Sequence, residues 1–205
     1  MTSPVSVLIW SDYIGPFCSV ALERAAWLES EFGVEVDWLP FDLHPEYPSE
    51  GIPREELHRR YPKDVHERTR QMVEAAGLSY NPPPDRVPNS RKALEVTELA
   101  RDRGLHEPVH TRLMRAYWEE GQDIGDEEVL LGLVAEAGLD IEEAESVLAD
   151  RRYSDRVDAS TSAAQRQGIN GIPAFVVGER FLILGAQPHE TFEQALAQIE
   201  SVSEP

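Results

Sequence analysis

A single cysteine, Cys18, is all that the 205 residues hold, so no disulfide can form within the chain. That excludes a disulfide-stapled scaffold and a cysteine-built zinc site alike. Basic residues are scarce as well: 19 Lys and Arg stand against 38 Asp and Glu, a net charge of -19. Such a balance repels phosphate backbones and anionic lipid, so neither a nucleic acid nor a membrane surface is expected as a partner. No stretch approaches the roughly 18 apolar residues of a membrane span. Met1-Thr2-Ser3-Pro4 has no basic residue and Val5–Trp10 is short for the apolar part of a signal peptide, which leads us to expect a cytoplasmic protein. Internal repeats, low-complexity segments, a phosphate-cradling glycine loop and a G-x-S-x-G elbow are all missing. His58, His66, His106, His110 and His189 are scattered, and no pair has convincing metal-ligand spacing, so no metal is expected.

What is present suffices for one domain, or one domain with a large insertion, since 41% of residues are apolar. Val5–Trp10 is short, apolar and rich in β-branched residues, which predicts a buried strand. Residues 11–15 read as a turn. Pro16 suits the first position of a helix, where its missing N–H costs nothing. That helix is expected to run to Phe32, bury Val20, Leu22, Ala25, Ala26 and Leu28, and stop at Gly33. A second strand over 34–41 completes a β-α-β unit with parallel pairing.

The middle reads as helical. Pro53 opens one helix and a second spans about 64–76. Residues 80–88, with four prolines, form an extended loop. Asn89 caps a helix that stops at Gly104, and Val109, Leu113, Met114 and Tyr117 mark another that ends near Gly121. Asp126 precedes the next, and Asp140 with Glu143 forms a capping-box pattern before one more. A helix over about 154–167 follows, then a hairpin of 174–177 with 181–184, and a last helix from Pro188. We divide the chain into an N-terminal core part (1–50), a helical insertion (51–153) and a C-terminal core part (154–205). The pattern alone says α/β with a helical insert. Trp10, Trp27, Trp38 and Trp118 fit core or half-buried positions.

Five stretches carry a more specific signal. Ser11-Asp12-Tyr13-Ile14-Gly15-Pro16-Phe17-Cys18 resembles the redox motif of the DsbA family, in which the first strand leads into Cys-Pro-Trp-Cys at a helix start. Gly171-Ile172-Pro173-Ala174-Phe175-Val176-Val177 resembles that family's cis-proline loop entering a strand. Phe41–Pro45, Asp123–Asp126 and Gly185–Pro188 are similar to the FrnE-like branch, a group of cytosolic DsbA-like proteins. The resemblance spans nearly the whole chain. It implies a thioredoxin-like core (β-α-β … α-β-β-α) interrupted by a large α-helical insertion, and a cis Ile172-Pro173 bond.

In that family the first cysteine of the motif is the nucleophile, activated by the helix N-terminus, and the second resolves the mixed disulfide. Here Gly15 stands at the first position, leaving a degenerate Gly-Pro-Phe-Cys. Kappa-class glutathione transferases and 2-hydroxychromene-2-carboxylate isomerases, which resemble the same fold, have a serine there. The resemblance therefore implies a thiol-disulfide oxidoreductase homologue with at most a monothiol redox role at Cys18. Cys18 is either that monothiol or a buried small hydrophobe. The alternatives are a glutathione-type, thiol-dependent transferase or isomerase, and a non-catalytic peptide- or small-molecule-binding module. Gly15, Pro16, Phe17, Ile172 and Pro173 are the expected ligand-binding residues, and His44 is either a surface-loop residue or part of the site. No cofactor is required by this reading, glutathione or another small thiol being the ligand expected if there is one; an extended peptide is the other expected partner. With no side chain at Gly15, space is expected above unpaired N–H groups of Pro16–Cys18, where a thiolate or small anion would sit.

Overall fold

Two strands at the centre of one sheet set the position of everything that follows. The structure, a computed structural model, describes residues 4–61 and 63–203; Met1-Thr2-Ser3, at the head of the segment read for a leader, lie outside it, as do Pro62, Glu204 and Pro205. Strand β1 (Ser6–Ser11) pairs in parallel with β2 (Glu35–Pro40), Ser6 opposite Glu35. On its other side β1 runs antiparallel to β5 (Ala174–Val177), which forms a hairpin with β6 (Phe181–Leu184). The sheet order is β2-β1-β5-β6. Because β1 and β5 are antiparallel, with Trp10 opposite Ala174, the end of β1 and the start of β5 lie together. The Ser11–Gly15 turn and the Ile172-Pro173 bond, which is cis, therefore meet at one end of the sheet.

Helix α1 (Pro16–Phe32) connects β1 to β2 and ends at Gly33, whose φ of 63° lets its N–H reach the Glu29 carbonyl at 3.0 Å. It buries Val20, Ala21, Ala25 and Leu28 against the sheet, and with α9 (His189–Ser203) closes a core around Val7, Ile9, Phe175 and Phe192. Ala26 departs from the sequence reading: it is exposed, in line with Glu29 and Ser30 one turn on, because the buried stripe follows the 21-25-28 face. Trp10 and Phe41 pack on the other side with Ala164 of α8 (Ser154–Arg166).

Between β2 and α8 lie α2 (Arg54–Arg60), α3 (Lys63–Ala75), α4 (Arg91–Asp102), α5 (His106–Trp118), α6 (Glu127–Glu136) and α7 (Ile141–Asp150). Asp126 and Asp140 cap α6 and α7, accepting from the N–H of Val129 at 3.1 Å and Glu143 at 2.8 Å. The Glu143 carboxylate pairs with Arg103. Asn89, expected as the cap of α4, accepts from Arg91 N–H at 2.9 Å but lies one residue ahead of the observed N-cap, Ser90. The proline-rich segment contains a short strand, β4 (Arg86–Val87), paired antiparallel with β3 (Ile52–Pro53). This ladder joins residues 35 apart in sequence (Ile52 with Val87), which local pattern does not encode.

The helical segment has its own apolar cluster, and that cluster takes in Tyr13, Ile14 and Cys18 from the β1–α1 junction. Two hydrogen bonds fix the junction to it: Tyr13 Oη with Thr97 Oγ1 at 2.5 Å, and Trp118 Nε1 donating to the Tyr13 carbonyl at 2.8 Å. An ion-pair cluster clamps the segment after β2 to the helices, with Arg91 reaching Asp42 at 3.0 Å, Glu95 at 3.0 Å and Asp158 at 2.6 Å. No described helix is long and apolar enough to cross a membrane.

Candidate functional site

The sole thiol is closed off. Cys18 has no exposed surface, and burial pushes its pKa up to about 12, the polar groups of Asp12 and Ser11 nearby offsetting only part of the effect. Its position in the first turn of α1 would favour a thiolate in an open site. Here desolvation wins, because Cys18 faces the apolar cluster of the helical segment.

Gly15 caps α1 at φ -75° and ψ 113°, a conformation open to any residue, so backbone strain does not require glycine. Sterics favour it instead. A Cβ at this position would lie 2.9 Å from Cys18 Sγ and 3.2 Å from Ile172 Cδ1. The space expected above Gly15 is thus occupied by the sulfur and by Ile172. The free N–H groups are also fewer than expected: Pro16 has none, and Cys18 N–H turns back to the Gly15 carbonyl at 2.9 Å, leaving Phe17. A shape made by three residues cannot be read when the fourth side chain, Ile172, arrives from 157 positions away.

What opens instead is a cavity of about 220 Å³ beside the turn. Ile14, Gly15, Pro16, Phe17 and Ile172 form one wall. Tyr47, Arg54, His66, Tyr80, Tyr117 and Trp118 face them from the following loop and the helical segment. Of the expected ligand-binding residues, four line this cavity; Pro173 is buried behind it, its carbonyl accepting from Gly185 N–H at 2.8 Å. His44 lines the cavity too, stacked on Tyr47 with ring centroids 4.4 Å apart and 2.9 Å from the Glu46 carboxylate. None of the opposing residues is read from the sequence as part of a site: Tyr117 and Trp118 read as helix-face or core residues and His66 as one of the scattered histidines. One signal was there: Arg54 opens α2, where the helix dipole favours an acid.

Asp12 is the other buried titratable group at the junction, 1% exposed. Its carboxylate accepts from Leu43 N–H at 2.9 Å and Ile14 N–H at 3.3 Å, tying the turn to the loop after β2. Burial raises its pKa to about 6, hydrogen bonds from Ser90, Leu43 and Ile14 offsetting part of the effect and the nearby Asp42 adding to it. Unfolded, the group ionises near 3.8; between there and 6 the native state holds the extra proton. Asp12 therefore makes folding less favourable as pH rises through this window, by about 3 kcal/mol above it. A residue-resolved carboxyl titration by ¹³C NMR is expected to show a midpoint near 6 for Asp12. A midpoint near 4 would mean that the turn is hydrated in solution.

Residues 6–197 match the DSBA-like thioredoxin domain. The chain belongs to the DSBA-like thioredoxin domain family. Within it, the sequence is 32% identical over 197 residues to the uncharacterized protein YwbO of Bacillus subtilis (strain 168), covering 94% of this chain and 96% of that one. The crystal structure of the probable DsbA oxidoreductase SCO1869 from Streptomyces coelicolor superposes with a TM-score of 0.89 at 31% identity, over 98% of this chain and 92% of the other. A 2-hydroxychromene-2-carboxylate isomerase shares the fold, with a TM-score of 0.79 at 18% identity over 95% of each chain. The thioredoxin-like core with its helical insertion is therefore the DsbA arrangement, and the family match over residues 6–197 spans both the 11–18 and the 171–177 stretches.

Proposed function

We propose that this DsbA-family chain works at its cavity and not at sulfur. It binds a small molecule non-covalently beside the Gly15–Phe17 turn, with a low-molecular-weight thiol such as glutathione as co-substrate in an isomerase- or transferase-type reaction. One observation carries the reading: the open volume beside the turn is lined by Gly15, Ile172 and aromatic rings and not by Cys18, while the thiol has no exposed surface. Dithiol exchange within the chain has no second cysteine to use. A monothiol role would need Cys18 to reach a partner sulfur through Gly15 and Ile172.

The likeness to an isomerase of the same fold supports the reading at the level of architecture alone. An extended peptide is less well served, because the Pro173 carbonyl is already bonded to Gly185. A cytoplasmic location goes with this reading, since a small-thiol co-substrate is held reduced there.

Titration of the ¹⁵N-labelled protein with reduced glutathione tests it. Shifts at residues 14–17, 43–47, 117–118 and 172, saturating in the millimolar range or below, are the expected result. An unperturbed spectrum at 10 mM, about the upper end of useful millimolar affinities, overturns the thiol-dependent reading.

A further inference from the structure

Arg54 is buried, 7% exposed, and lines the cavity. The three hydrogen bonds of its guanidinium all end on neutral oxygens: Nε donates to the Pro83 carbonyl at 2.6 Å, and Nη2 donates to the Arg86 carbonyl at 3.1 Å and to Tyr117 Oη at 3.0 Å. Nη1 has no partner among the described residues, and no carboxylate there forms an ion pair with this guanidinium. Arg91, a half-buried cation, shows the usual arrangement, with three carboxylates around it. Buried charges are ordinarily paired, so Arg54 is a positive charge awaiting a counter-ion.

Two more polar atoms on the same walls are buried without a hydrogen-bond partner, Tyr47 Oη and His66 Nε2. Tyr47 itself is 4% exposed. The groups whose titration the Arg54 charge biases include Tyr80, Tyr117 and His66, none of them a carboxylate. Burial, with His58 and Arg54 nearby, holds His66 below its ordinary value, which keeps its ring neutral and able to donate one N–H.

We infer that the cavity takes a small monocarboxylate with a flat apolar body, its carboxylate at Arg54 Nη1, Tyr47 Oη and His66 Nε2 and its body between the aromatic walls. This rests on the reading of the cavity as the ligand site and names the ligand's class. Three donors, one of them charged, match the acceptor capacity of one carboxylate. A polyphosphate or dianion is poorly matched, since one cation faces it within a chain of net charge -19. The cavity, at about 220 Å³, is smaller than the roughly 300–1,000 Å³ of drug-sized sites, which limits the body to one or two rings. Tyr80 and Trp118, with ring centroids 5.5 Å apart, offer the flat faces.

The test compares cinnamate with cinnamamide, alike in shape and different in charge, by NMR titration of the wild-type protein at pH 7.5. Cinnamate is expected to bind at least tenfold more tightly, with shifts at residues 47, 54, 66, 80 and 117–118. Arg54→Gln is expected to bring cinnamate down to the level of the amide and leave the amide unchanged. Should that variant not fold, because Arg54 also holds the Pro83 and Arg86 carbonyls, Tyr47→Phe is expected to weaken cinnamate several-fold and spare cinnamamide. Equal affinity of the two probes in the wild-type protein, or no binding of either, overturns the carboxylate assignment. Because the glutathione titration reads the 14–17 turn and Ile172, it can succeed while this comparison fails, and the two ideas fall separately.

Discussion

Native Cys18 is expected to react with a disulfide reagent such as DTNB at pH 8 at least roughly a thousandfold more slowly than the same cysteine in the urea-unfolded chain. The factor combines a smaller thiolate fraction, partly offset by the greater nucleophilicity of a less acidic thiol, with occlusion of the sulfur. A pKa pushed up to about 12 leaves only a trace of thiolate at pH 8, whereas an unfolded cysteine near 8.5–9 is ionised to a tenth or more. Occlusion by Gly15 and Ile172 slows the reaction further. Oxidised glutathione is therefore expected to leave the mass of the native protein unchanged while adding to the unfolded chain. The same shift sets a pH dependence. Above about 9 the unfolded thiol ionises and the native one stays protonated, so this group's contribution to stability falls as pH rises from 9 towards 12. Rapid, stoichiometric labelling of the folded protein would show that Sγ is reached in solution, and would return the monothiol reading to first place.

Gly15→Cys is expected to convert a closed site into a dithiol one. The backbone at position 15 suits an L-residue, and its Cβ would stand 2.9 Å from Cys18 Sγ. For two groups that are not bonded, that is a clash. For a disulfide it is the natural separation, since an S–S bond of 2.03–2.05 Å and ordinary angles place each Cβ about 3 Å from the opposite sulfur. The cysteine variant should therefore oxidise readily to an internal disulfide, lose two mass units, and gain insulin-reduction or insulin-oxidation activity that the parent lacks. Gly15→Ala makes the same close contact with no bond to relieve it, and is expected to lose about 1–3 kcal/mol of stability in urea unfolding. The pair of variants separates geometry from chemistry. If Gly15→Cys keeps two free thiols in oxidised glutathione, the Gly15–Cys18 placement is wrong.

The contrast between these variants shows how the information is divided. The β1 strand, α1 with its Pro16 start and Gly33 stop, the 174–177/181–184 hairpin, and the Asp126 and Asp140 caps were legible because each depends on residues within a turn or two of one another. The family was legible for a related reason: its motifs at 11–18 and 171–177 are contiguous runs. Ala26 was misplaced because a helix face four residues wide is decided by the neighbour it meets. The β3–β4 ladder and the counter-ion-free Arg54 were not legible, since Arg54 is buried by a loop some thirty residues on and a helix over fifty residues on. Cys18 shows the division most sharply. By itself the sequence determined that Cys18 is the one thiol and that Gly15, with no side chain, stands three residues before it. Only the tertiary structure decided that this thiol faces an apolar cluster and that the open space is lined by Gly15 and Ile172 and not by the sulfur. Accessibility and pKa depend on which distant side chains arrive around a group, and those are set by packing, not by adjacency along the chain.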